Sequence, residues 1–69
     1  MEKILISWLK MYIGAEISTS TCFSDLNFDI FDQAVVVDFV QQNFKCNINK
    51  TEEWYKTVKE LLDAIAAST

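Results

Sequence analysis

Asp25, Asn27 and Asp29 stand at alternate positions, the spacing with which an EF-hand loop opens its set of calcium ligands. Oxygen donors on alternate residues can curl around one hard cation. The remainder of that motif is missing. Its sixth place needs Gly for a sharp turn and holds Ile30, and its twelfth needs a bidentate Glu and holds Val36. At most, Asp25, Asp29 and Asp32 could associate weakly with a divalent ion; the simpler account is that they cap a helix and solvate a loop. No metal is expected.

Other reactive chemistry is narrower still. The chain has no His, which removes the commonest general base and the commonest metal ligand. Ser-His triads, Cys-His nucleophiles and Cys/His zinc sites are excluded with it. Cys22 and Cys46 form no Cys-x-x-Cys pair and have no Arg or His to favour a reactive thiolate, so they read as reduced packing residues. Glu52 and Glu53 are adjacent, and adjacent side chains on a helix diverge rather than converge on one substrate. Trp8, Tyr12, Trp54 and Tyr55 read as core or core-edge aromatics, with Trp54-Tyr55 as an alternative partner anchor. The expectation is a protein that is not an enzyme and needs no cofactor.

Composition sets the scale on which these residues are positioned. With 69 residues, 51% hydrophobic, 13% aromatic and 23% charged, the chain is one ordered domain over residues 1–69. One Gly and no Pro leave little material for tight turns and favour helices over a small barrel. Six Lys, no Arg and ten carboxylates give a net charge of −4, and no two Lys are adjacent. Nucleic acid, which needs clustered cations, is not an expected partner; a basic protein surface is. Lys10 interrupts the first apolar run, so neither a signal peptide nor a membrane span is expected. A cytoplasmic setting follows, in which the Asn49-Lys50-Thr51 sequon has no glycosylation meaning.

The spacing predicts a first helix over 2–15, with Leu5, Trp8, Leu9 and Tyr12 on one face and Gly14 near its end. The hydroxyl run Ser18-Thr19-Ser20-Thr21 predicts a loop, from which Phe23 and Leu26 dip into the core. A second helix starts near Asp29, whose carboxylate caps it, and runs to about Lys45 on a stripe of Val36, Val40 and Phe44 widened by Val37 and Phe39. Asn47, Ile48 and Asn49 predict a second loop, and Thr51–Tyr55 a short third helix or one helical turn. Thr57 with Glu60 predicts a capping box, opening a last helix through Val58, Leu61, Leu62 and Ile65 to near Ala67.

The segment Phe23-Ser24-Asp25-Leu26-Asn27-Phe28-Asp29-Ile30-Phe31-Asp32 resembles the start of helix II in acyl carrier proteins, which typically reads Phe-x-Asp-Leu-Gly-x-Asp-Ser-Leu. Phe44, Ile48 and Thr57-Val58 stand where that family has the Phe closing helix II, a loop Ile and a Thr-Val start to the last helix. The resemblance covers about Phe23 to Ile65. It implies an all-α, acyl-carrier-protein-like bundle of three main helices plus a short one, with a long loop between helices I and II. It also implies where the chain departs from the family. The Ser that carries 4′-phosphopantetheine there aligns with Ile30, which has no nucleophilic oxygen. Ser24 falls at the variable position, nearly two helical turns away. Asn27 replaces the family Gly and still tolerates a left-handed backbone.

The expectation is therefore recognition without carriage. Helix II would offer Ile30, Phe31, Ala34 and Val35 as an apolar contact, with Asp29, Asp32 and Asp38 orienting a basic partner. By the resemblance alone, that partner is an enzyme of fatty-acid, polyketide or nonribosomal-peptide metabolism. Two alternatives stand beside this reading: an acyl or peptidyl carrier modified at an unexpected serine, and a generic helical adaptor. The apolar patch could equally be covered by a broader core or by self-association.

Overall fold

The computed structural model describes residues 1–46, 48 and 54–68. Three helices, α1 (Glu2–Ile13), α2 (Ile30–Phe44) and α3 (Val58–Ser68), surround an all-α core, and no strand occurs among the described residues. Leu5 and Leu9 are fully buried on α1, Val36 and Val40 on α2, and Val58, Leu61 and Ile65 on α3. Ile17, Phe23, Cys46 and Ile48 complete the interior from the connections, with no buried polar side chain among them. Truncating one such Leu to Ala costs about 2–5 kcal/mol, a large share of the roughly 3–10 kcal/mol that a chain this size has in hand.

Helix ends follow the expected chemistry with small shifts. α1 closes at Ile13 rather than at residue 15, because Gly14 turns left-handed (φ 79°) and its N–H returns to the Lys10 carbonyl at 2.8 Å. Tyr12 is exposed rather than seated on the buried face, since Leu5 and Leu9 set that face one step further round α1. α2 ends at Phe44, where Lys45 adopts the same left-handed geometry (φ 54°) and its N–H meets the Gln41 carbonyl at 3.2 Å. α3 runs to Ser68, one residue past the expected Ala67. The expected turn at Thr51–Tyr55 lies outside the described residues up to Glu53, as do Asn47, Asn49, the sequon and the Glu52–Glu53 pair; Trp54 and Tyr55 are not helical.

The α1–α2 connection is ordered by its own side chains. Thr21 Oγ1 accepts from the Ser18 N–H at 2.8 Å, and the Ser18 hydroxyl meets those of Ser20 and Thr21 at 3.1 and 3.3 Å. A single 3₁₀ turn, Phe23–Leu26, then drives Phe23 inward and leaves Leu26 half-buried, and Asn27 closes it in the left-handed region (φ 53°).

The same connection caps the last helix. The Val58 and Lys59 N–H groups, which open α3 and have no partner inside it, donate to the Thr21 and Thr19 carbonyls at 3.1 and 2.9 Å. Phe23 N–H answers with a bond to the Lys56 carbonyl at 3.0 Å. The expected capping box is formed: Thr57 N–H donates to Glu60 Oε2 at 3.2 Å and Glu60 N–H to Thr57 Oγ1 at 3.3 Å.

Two substitutions test these ends by urea denaturation. Thr57→Ala removes one acceptor and should cost about 1 kcal/mol. Lys45→Gly should stabilise by about 0.5–1 kcal/mol, because a side chain at positive φ is strained and glycine is not.

Candidate functional site

α2 begins where Asp29, in extended backbone, turns its carboxylate onto the first helical turn. Asp29 Oδ1 accepts from the Asp32 N–H at 3.0 Å, and Asp32 Oδ2 accepts from the Asp29 N–H at 3.2 Å. Two carboxylates thus close a reciprocal cap at the positive end of the helix dipole. A third group locks it from α1: the Tyr12 hydroxyl donates to Asp32 Oδ1 at 2.7 Å.

That bond shapes two titrations. The Tyr12 hydroxyl, then the Asp29 N–H, hold the Asp32 carboxyl below the usual carboxylate range. The same hydrogen bond raises Tyr12 above the ordinary tyrosine value, with desolvation and the negative charges of Asp32 and Asp29 adding to it.

Past the cap, α2 presents a face to solvent. Ile30 is 59% exposed and Phe31 78%, while Ala34, Val35 and Asp38 complete the same side one and two turns on. The helix buries only Val36 and Val40 on its opposite side, so a hydrophobic segment is left with apolar residues outside. Five of the expected contact residues, Ile30, Phe31, Ala34, Val35 and Asp38, therefore share one face. Asp29 and Asp32 do not join it; they face the helix start and α1.

α1 and α2 meet through rings. Trp8 stacks on Phe39 with centroids 4.1 Å apart and on Tyr12 at 5.1 Å. Tyr12 beside Asp32 and Trp8 beside Phe39 make the two helices antiparallel. Sequence reasoning missed Tyr12 as a polar contact. Its only sequence signal was a Tyr at the edge of an apolar stripe, which says nothing of a carboxylate 20 positions away.

A second feature is an open groove of about 630 Å³ between the 3₁₀ turn and the start of α3, lined by Phe23, Phe28, Trp54 and Tyr55 with Ser24 and Lys56 at its edge. Trp54 and Tyr55 take part in an aromatic cluster, with Phe28–Trp54 centroids at 5.7 Å and Trp54–Tyr55 at 5.0 Å. Burial, then the proximity of Cys46, pushes the Tyr55 hydroxyl up. Both thiols are free; Cys46 is buried with its Sγ 3.9 Å from the Ile65 carbonyl, and Cys22 is half-buried in an isolated bridge to Thr57.

Among the described residues, no three His, Cys, Asp or Glu side chains gather in a metal-holding group. Among them, too, no helix is long and apolar enough to cross a membrane. Neither protein-family models, nor curated proteins, nor solved structures give a match to this chain.

The Tyr12–Asp32 bond predicts a pH signature. A lowered carboxyl stabilises the fold above its unfolded value, near 4, and loses that contribution as pH falls through the folded value. A raised Tyr stabilises below its unfolded value, near 10, and loses its share as pH rises through the folded one. The difference in denaturation midpoint between the wild type and Tyr12→Phe should therefore be widest around neutrality and narrow toward both extremes. A difference constant with pH would show that the two groups are not coupled.

Proposed function

We propose that this chain is an acyl-carrier-protein-like binding module without a phosphopantetheine arm, which docks on a basic partner through the outer face of α2 and does no chemistry itself. The observation that carries the proposal is the start of α2, where an alkyl side chain, Ile30, stands exposed directly after the capping Asp29. In the family that the sequence resembles, the arm-bearing hydroxyl occupies this position. Here the same position continues into Phe31, Ala34 and Val35, an apolar centre of the kind that supplies most of the affinity in protein contacts.

The acids divide the remaining work. Asp38 lies on the docking face, and Asp29 and Asp32 hold negative charge at its end. Such rim charges set approach and orientation more than affinity. The net charge of −4 favours a lysine- or arginine-rich partner surface. The order of three helices, the ordered connection with its 3₁₀ turn and the left-handed Asn27 all support the carrier-like reading. The partner's place in fatty-acid, polyketide or nonribosomal-peptide metabolism rests on the sequence resemblance alone, and the cytoplasmic setting on the interrupted first apolar run.

Incubation with coenzyme A and a promiscuous phosphopantetheinyl transferase should leave the intact mass unchanged. A modified product mapped to Ser24 or any other serine would make the protein a carrier and end this reading. Binding to purified ketosynthases or adenylating enzymes should fall at least about tenfold in Phe31→Glu and Val35→Glu, with the circular dichroism unchanged. Equal binding by the folded variants would remove α2 as the docking element.

A further inference from the structure

Exposed apolar side chains collect along the outside of the α1–α2 seam. On α1, Ile4 (55% exposed) and Met11 (75%) lie on either side of Trp8 at i, i+4, i+7. On α2, Phe31 and Val35 precede Phe39 at i, i+4, i+8. Trp8 and Phe39 stack across the seam, so the two rows flank it as a single apolar face built by two antiparallel helices. Single exposed apolar residues are ordinary; rows on both sides of a seam, interrupted by the Tyr12–Asp32 bond toward the start of α2, are the pattern of a buried interface.

The borders of this face carry opposite charges. Next to the α1 row stand Lys3, Ser7 and Lys10, and next to the α2 row stands Asp38. Among the described residues, Lys3 and Asp38 make no ion pair or side-chain hydrogen bond, and Lys10 reaches only the exposed Glu16, at 3.7 Å. A surface with one basic border and one acidic border is complementary to a copy of itself. A two-fold axis along the helices would set each α1 against the other copy's α2, antiparallel as within one chain. The apolar rows then close into a four-helix core, and the basic border meets the acidic one twice. A specific interface takes about 800 Å² from each partner, under a fifth of the 4587 Å² that the chain exposes.

We propose that the protein associates with a second copy of itself through the α1–α2 face, Ile4, Met11, Phe31 and Val35 forming the centre and Lys3 of each copy facing Asp38 of the other. This does not depend on the carrier-like reading. Phe31 and Val35 serve both surfaces, so a protein partner on α2 and a second copy compete.

Sedimentation equilibrium of the full chain, from micromolar to millimolar concentration, tests this. The expected result is a monomer–dimer equilibrium that Met11→Glu shifts to monomer without loss of helical circular dichroism. Lys3→Glu and Asp38→Lys, both at exposed positions that do not threaten folding, should each weaken the dimer about tenfold, and the double swap should restore it. A monomer across the whole range, a dimer that Met11→Glu leaves intact, single swaps without effect, or open-ended assemblies would each overturn the proposal. Lys3 and Met11 lie off α2, so failed partner docking and failed self-association are read separately.

Discussion

The three α-helices depend on a connection whose only helical part is one 3₁₀ turn. α3 starts with N–H groups that have no partner inside the helix, and two of them are met by the carbonyls of Thr19 and Thr21 in the α1–α2 connection. That link is polar, short and far apart in sequence. It also fixes how deep the 3₁₀ turn sits, and so places Phe23 in the core and Phe28 and Trp54 against it. In a chain of 69 residues, a connection left in solvent would subtract both core side chains and helix caps at once.

With the connection committed to α3, α2 is held mainly from one side. It buries Val36 and Val40, leans its Phe39 on Trp8 and anchors its first turn to Tyr12 through Asp32. Among the described residues, no fourth element covers the opposite side of α2. Its apolar residues there remain in water, which costs solubility unless another surface takes them up. The proposed docking and the proposed self-association would both answer this one geometric shortage.

Electrostatics refines the same arrangement. The reciprocal Asp29–Asp32 cap places two carboxylates at the positive end of the α2 dipole, a location that lowers the cost of holding them close together. Tyr12 then orients one of them from α1. The start of α2 is capped and acidic, and the exposed Ile30–Phe31 pair stands on a first turn whose end is hydrogen-bonded.

Much of the local structure was legible in the chain itself. The capping box of Thr57 and Glu60, the cap at Asp29, the left-handed ends at Gly14 and Asn27 and the Val36–Val40 stripe are short-range features, set by residues within a turn of one another. The outward position of Ile30 and Phe31 could likewise be read from helical spacing once the buried stripe was chosen. Long-range bonds carried no such signal. The Tyr12–Asp32 bond, the carbonyls that cap α3 and the exposure of Ile4 and Met11 depend on which helix lies beside which. Periodicity states that a helix has an apolar side; only packing decides how wide a part of that side a neighbour covers, because the burial of one helix is set by the shape of the others.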